Sequence, residues 1–179
     1  MADFSIGKIG NLVGDIQRTY TWQLRLTLPD LAGVVPNADA LEIRCRTVAI
    51  PGRSLDVITS NFMGMEQFYP GRNHFTNPFN ITFEEFADRK IAKALYAWQQ
   101  TMFDLNTGAS VGDKKRLVAK DCYLQLLDYQ GLEVLPSDMG KLRINNAWPE
   151  SVAEVPLSYA ESTALQYSLA LRYDTWEYL

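Results

Sequence analysis

Few side chains in this 179-residue chain are of a type that does chemistry, and their spacing does not bring them together. The only histidine is His74, in the stretch PGRNHF. One imidazole excludes a multi-histidine metal cluster, and a lone loop histidine is usually a solvated side chain rather than a general base. Glu84 and Glu85 are neighbouring carboxylates, but in an extended segment neighbours point to opposite faces, so they do not pair on one substrate. Residues 108–115, GASVGDKK, resemble a phosphate loop only in outline. The phosphate cradle needs four residues between its glycines and a lysine directly after the second, whereas here three intervene and Asp113 follows. No G-x-S-x-G stretch is present to supply a serine nucleophile. Cys45 and Cys122 are too few for a zinc site and read best as buried free thiols. The expectation is a chain that is not an enzyme and carries no catalytic, cofactor or metal site.

What does stand out is physical rather than chemical. Residues 61–71, NFMGMEQFYPG, hold Phe62, Met63, Met65, Phe68 and Tyr69, yet Gly64, Pro70 and Gly71 punctuate them as in a loop or hairpin. Strict alternation along the stretch puts Phe62 and Phe68 on one face and Met63, Met65 and Tyr69 on the other. A hairpin that is apolar on both faces needs a second surface to cover it. Methionine suits a surface that must repack against a neighbour.

The elements around this stretch are mostly strands. From Tyr20, period two sets Trp22, Leu24, Leu26 and Leu28 against polar neighbours, until Pro29 ends the run. LEIRCRTVAI alternates Leu41, Ile43 and Cys45 with Glu42, Arg44 and Arg46, which predicts a second strand up to Pro51-Gly52. Residues 53–69 predict a hairpin arm closed by Pro70-Gly71, and Phe79, Ile81 and Phe83 a further strand. One amphipathic helix follows: Asp88 as N-cap and a stripe of Ile91, Leu95, Trp98 and Met102. AKDCYLQLLDY, GKLRIN and ALQYSLALRYDTW then return the chain to strands. Residues 1–18 carry Phe4, Ile6, Ile9, Leu12, Val13 and Ile16 among three glycines, an apolar arm that needs something to lie on.

Seven or eight strands and one long helix in a single domain, 1–179, define a mainly β, α+β fold: an antiparallel barrel or sandwich with a helix on its side. A formal charge of −4, with 47% apolar and 21% charged residues, is that of a folded domain with no general affinity for nucleic acid or anionic lipid. No basic start precedes an apolar leader segment and no run of about 18 apolar residues occurs, which predicts synthesis and folding in a cytoplasm without membrane insertion.

The order of these segments resembles the tail tube proteins of contractile-tailed, myovirus-like bacteriophages, relatives of the type VI secretion tube proteins. The resemblance runs through CRTVAIPGRSLDVITSNFMGMEQFYPGRNHFTNPFNITFEEFADRKIAKALYAWQQ and NNAWPESVAEVPLSYAESTALQYSLALRYDTWEY. Its landmarks are Cys45 with Pro51, Trp98 with Gln99, Trp148 with Pro149, and Trp176 with Glu177. Two segments, PDLAGVVPNADA and QGLEVLPSDMG, are longer than the family pattern leads one to expect.

The resemblance implies a β-barrel-like tail-tube fold with a flanking helix and a long protruding hairpin, residues 51–75. It implies a virion structural protein whose hexameric rings stack into the inner tube of a contractile tail, through which the genome is ejected. The implied partners are further copies of the chain, the sheath protein, the baseplate or tube initiator and the tail terminator, with DNA passing the lumen unbound. Assembly would occur in the bacterial host cytoplasm. The implied subunit interface is Pro51, Arg53, Phe62, Met63, Met65, Phe68, Tyr69 and Arg72. Two alternatives stand beside this reading: a tube-initiating or baseplate ring of the same fold, and, from another class, a monomeric β-barrel that binds a small ligand.

Overall fold

The computed structural model describes residues 17–30, 38–104, 107–110, 112–128, 130–134, 139–160 and 163–179. Of the apolar arm expected at residues 1–18, all but residues 17 and 18 lie outside the described residues. Among the described residues, ten strands and three helices follow in the order β1 (Trp22–Thr27), α1 (Ala38–Arg44), β2 (Cys45–Val48), β3 (Arg53–Phe62), β4 (Met65–Phe75), β5 (Phe79–Glu84), α2 (Lys90–Gln100), α3 (Lys114–Leu117), β6 (Asp121–Leu126), β7 (Lys141–Asn145), β8 (Trp148–Val152), β9 (Gln166–Arg172) and β10 (Thr175–Tyr178).

Two four-stranded antiparallel sheets form a sandwich: sheet A in the order β1-β6-β7-β10 and sheet B in the order β2-β5-β9-β8. The period-two pattern sets which faces meet. Leu24, Leu26, Cys122, Leu124, Leu142 and Ile144 point inward from sheet A, and Phe79, Ile81, Phe83, Tyr167, Leu169 and Leu171 from sheet B. Each fully buried aliphatic or aromatic side chain contributes about 1.5–3 kcal/mol, so this interior holds the subunit together. Among the described residues no ladder joins the two sheets, so the fold is an open sandwich and not a closed barrel. The helix α2 packs on β8 and β9, with Ile91, Leu95 and Trp98 fully buried and the Trp98 Nε1–H donating to the Leu117 carbonyl at 2.7 Å.

Five expectations change in detail. The segment expected as a strand from Leu41 starts as a helix, α1, and becomes strand β2 only at Cys45. Ala, Leu, Glu and Arg are good helix formers, and packing on β1 and β5 buries Leu41 while Ile43 faces outward. Alternation over so short a run is compatible with a helix that buries one residue per turn.

The long helix ends at Gln100, so Met102 lies just past it, half-buried against the core. Its N-cap is Arg89, in the left-handed region at φ 52°, rather than Asp88. The free N–H groups of the first turn are met from further back: Glu85 accepts from Ala92 at 2.6 Å and from Ile91 at 3.4 Å, and Asp88 accepts from Lys90 at 3.3 Å.

The final alternating run is two strands. It breaks at Tyr173 and Asp174, where the chain leaves β9 of sheet B for β10 of sheet A. Asp174 fixes this crossing by accepting from Lys114 Nζ at 2.6 Å and from Asn146 Nδ2 at 2.8 Å. Last, Pro70 and Gly71 do not end their strand; β4 runs straight through them to Phe75.

Candidate functional site

The third sheet is the hairpin β3–β4 alone, which among the described residues pairs with no other strand. Its turn is Met63-Gly64, with φ of 50° and 79°. Two successive positive φ values give the primed turn whose twist matches a two-stranded ribbon, and Gly64 adopts it without steric cost. β-branched Val57, Ile58 and Thr59 favour the extended backbone on the way to the tip.

Register then decides which side chains share a face. Phe62 pairs with Met65, Ser60 with Gln67 and Ile58 with Tyr69, so one face carries Phe62, Met65, Tyr69 and Ile58. Thr59 pairs with Phe68 and Val57 with Pro70, which puts Phe68 on the opposite face with Val57. This corrects the expectation that Phe62 and Phe68 share a face: a two-residue turn pairs odd with even positions, so parity does not carry across it. The conclusion that both faces are apolar still holds. Exposure is 62% at Phe62, 88% at Met63, 71% at Met65, 65% at Phe68 and 50% at Tyr69.

A bulge bends the ribbon between Leu55 and Val57, opposite Gly71 and Arg72. The extra residue is on β4, where Gly71 and Arg72 together oppose Asp56. Asp56 pairs with His74 at 2.8 Å from its Nε2, so the one histidine has a structural partner.

Nearer the root the hairpin is fixed to its own subunit. Arg53 places its guanidinium 5.5 Å from the centroid of the Trp176 ring, and Phe75 meets Trp176 and Tyr173 edge to face. Trp176 Nε1–H and the Thr76 N–H both donate to the Gly52 carbonyl. The eight residues expected at an interface therefore divide. Phe62, Met63, Met65, Phe68 and Tyr69 cluster at the exposed end, Arg72 is exposed at the bulge, Arg53 lies over Trp176, and Pro51 is buried. The exposed Leu55, Val57 and Ile58 were missed; for Val57 and Ile58 the signal was the β-branched run itself.

Elsewhere the candidate chemical groups are engaged in structure. Glu84 pairs with Arg46 on the outside of sheet B. Glu85 is buried at the start of α2, with Arg44 3.5 Å away. Burial pushes the Cys45 and Cys122 thiols up to about 12, which leaves little nucleophilic thiolate at neutral pH. Asp113 caps the short helix α3 by accepting from the Lys115 N–H, and Lys114 turns to Asp174, so these two residues of the GASVGDKK segment are engaged in structure. Among the described residues, no group of three or more His, Cys, Asp or Glu side chains is placed to hold a metal ion, and no helix is long and apolar enough to cross a membrane.

A family model described as phage tail tube protein matches residues 18–179. The chain belongs to the phage tail tube protein family. No curated protein sequence matches it. Solved structures share the tail tube fold at low identity. A chain from the anti-feeding prophage baseplate has a TM-score of 0.64 at 12% identity, over 92% of this chain and 96% of that one. One from the PVC sheath/tube terminator, an extracellular contractile injection system, has 0.61 at 15%, over 92% and 97%. Another, from the PVC sheath-tube complex, has 0.58 at 16%, over 99% and 100%. Tail tube membership agrees with a mostly β chain of antiparallel sheets.

Proposed function

We propose that this chain is the subunit of the inner tube of a contractile tail, in which six copies form a ring and rings stack into a conduit for DNA. The single observation that carries the reading is the β3–β4 hairpin, apolar and exposed on both faces. A ribbon of two strands is marginal in water on its own, and a contiguous exposed apolar patch marks a contact site. Another copy supplies the cover, since repeated heterologous contacts generate rings and stacks. The edges of sheets A and B that no described strand pairs with, at β1, β10, β2 and β8, offer further hydrogen bonds to neighbouring copies.

In this reading the sheath, a baseplate or initiator ring and a terminator are the partners outside the tube, the virion tail is the location, and the role is mechanical rather than enzymatic. Family membership and fold likeness to tube components of injection systems support it. Likeness to a baseplate chain favours a second reading, a ring of the same fold that starts the tube and does not polymerise.

Electron microscopy of the purified protein across a concentration series tests both. Stacked rings or tubes are the expected result. Single rings that never stack would select the initiator reading, and monomers at every concentration would overturn both.

A further inference from the structure

The sandwich is open along one seam. There β1, an edge of sheet A, comes beside β2, an edge of sheet B, and among the described residues no strand closes the gap. A groove of about 290 Å³ runs along it, lined by Trp22 of β1, Leu124 and Leu126 of β6, and Val48 and Ile50 at the end of β2. Leu124 is buried, Trp22, Val48 and Leu126 are half-buried, and Ile50 is exposed. Thr19 and Trp22 also line a second hollow of about 540 Å³, which continues the groove past the exposed Tyr20 and Ile43. Arg18 is the only charged residue lining the first groove, and its guanidinium donates to the Tyr20 hydroxyl at 2.7 Å. Such a surface suits an apolar occupant, because a polar one would lose its hydration without gaining partners.

The chain itself enters at this place. Gln17 lines the groove, and its Nε2–H groups donate to the Leu127 carbonyl at 3.0 Å and the Thr21 hydroxyl at 2.7 Å. The Leu127 N–H donates in turn to the Thr21 carbonyl at 3.0 Å, and the Trp22 Nε1–H to the Thr19 carbonyl at 3.0 Å. Residues 1–16 precede this fixed root and carry Phe4, Ile6, Ile9, Leu12, Val13 and Ile16. Leu12, Val13 and Ile16 stand nearest: even a fully extended chain keeps them within about 18 Å of Gln17. Asp15 is the only charged residue from 9 to 16, so this end of the arm matches the groove in polarity.

We infer that the seam groove is the docking site of the chain's own N-terminal arm, residues 1–16, which straps the free subunit with Leu12, Val13 and Ile16 against Trp22, Val48, Ile50 and Leu126. The tether decides between this occupant and a second copy. A segment joined to its site by a short flexible link is present there at a millimolar effective concentration, about a thousandfold above a free copy at micromolar concentration. The strap completes the burial of Trp22, Val48 and Leu126, which the two sheets leave half-buried, and keeps the seam from other copies. The assignment concerns a single subunit and stands apart from the tube reading.

The test uses the full-length chain with the photo-reactive residue p-benzoylphenylalanine in place of Val13 or, in a second version, of Leu12. After irradiation in dilute solution, denaturing electrophoresis separates one-chain from two-chain products, and peptide mass mapping locates the link. The expected product is a single chain joined from the arm to the peptides that hold Trp22, Val48 and Ile50, or Leu124 and Leu126. Ile50→Asp, at an exposed position outside the core, should cut that yield several-fold while leaving the melt intact. Two-chain products without a one-chain link would give the groove to a second copy and overturn the strap. Links only outside the groove, an unchanged yield in Ile50→Asp, or no link from either position would overturn it too. Whether the unmodified chain forms rings is read separately and bears on the tube reading alone.

Discussion

Gly71 packs so closely on Asp56 that a β-carbon on it would stand 2.9 Å from the Asp56 β-carbon and 3.0 Å from the Asp56 carbonyl oxygen. β-carbons essentially never come within 3.0 Å of another β-carbon, so the Gly71–Arg72 bulge keeps this close approach to Asp56 only with glycine at position 71. Gly71→Ala is therefore expected to shift or open the bulge and to change the angle at which the apolar end of the hairpin is presented. The sandwich core lies elsewhere, so the subunit's melting temperature should change little while ring or tube formation falls. Sedimentation of assembled material beside a thermal melt checks this; normal assembly would show that the hairpin's angle does not matter.

The apolar end itself makes a sharper case. Phe62 and Phe68 occupy opposite faces of the hairpin and are both mostly exposed, so neither contributes to the interior of its own subunit. Exposed substitutions of this kind alter stability by about 0.5 kcal/mol or less. In a dry contact with another copy, an unpaired charge costs several kcal/mol. Phe62→Asp and Phe68→Asp should each leave the far-ultraviolet spectrum and melt intact and abolish assembly. If only one abolishes it, only one face is covered by a neighbour.

Glu85 does a different task from the one its adjacency to Glu84 suggests. Buried, it accepts hydrogen bonds from Ala92, Ile91 and Phe86 and lies beside Arg44, so it closes the N-terminus of α2 where the left-handed Arg89 supplies no side-chain cap. Glu85→Ala strands those donors, at a cost on the order of 3 kcal/mol, between a lost cap and a broken buried ion pair. For a domain of this size that is a drop of about 6–12 °C in Tm. Glu85→Gln keeps an acceptor oxygen and should lose clearly less.

These positions also show what the sequence reveals and what it conceals. Leu24, Leu26, Phe79, Ile81, Phe83, Leu169 and Leu171 alternate with polar residues because one face of each strand meets the core, and that period is visible without coordinates. The stripe of Ile91, Leu95 and Trp98 is visible for the same reason at helical spacing. Concealed are features set by contacts distant in sequence. Leu41 buries and Ile43 does not because α1 lies on β1 and β5, and the face shared by Phe62 and Met65 depends on a turn that resets parity. The crossing at Tyr173 and Asp174 depends on Lys114, 60 residues away. The apolar content of the hairpin is legible; its exposure becomes evident only once the interior is seen to be complete without it.

Asp88 gives the subunit a predictable acid limb. Hydrogen bonds from Arg44, at 2.9 and 2.7 Å, and a smaller contribution from the Lys90 backbone N–H hold its carboxyl well below the usual carboxylate range. A carboxylate whose folded-state pKa is depressed adds stability that is fully present above its unfolded value, near 3.9, and is lost as pH falls from there towards the folded value. Asp174, lowered in the same direction by Lys114 and then Asn146, acts likewise. Asp88→Asn keeps an acceptor for Lys90 but removes the charge that Arg44 binds. Its melting temperature should lie below the parent's at pH 7, and the gap should narrow steadily as pH falls below about 4. A gap that stays constant down to pH 2 would mean that the Arg44–Asp88 contact acts through shape and packing, not through charge.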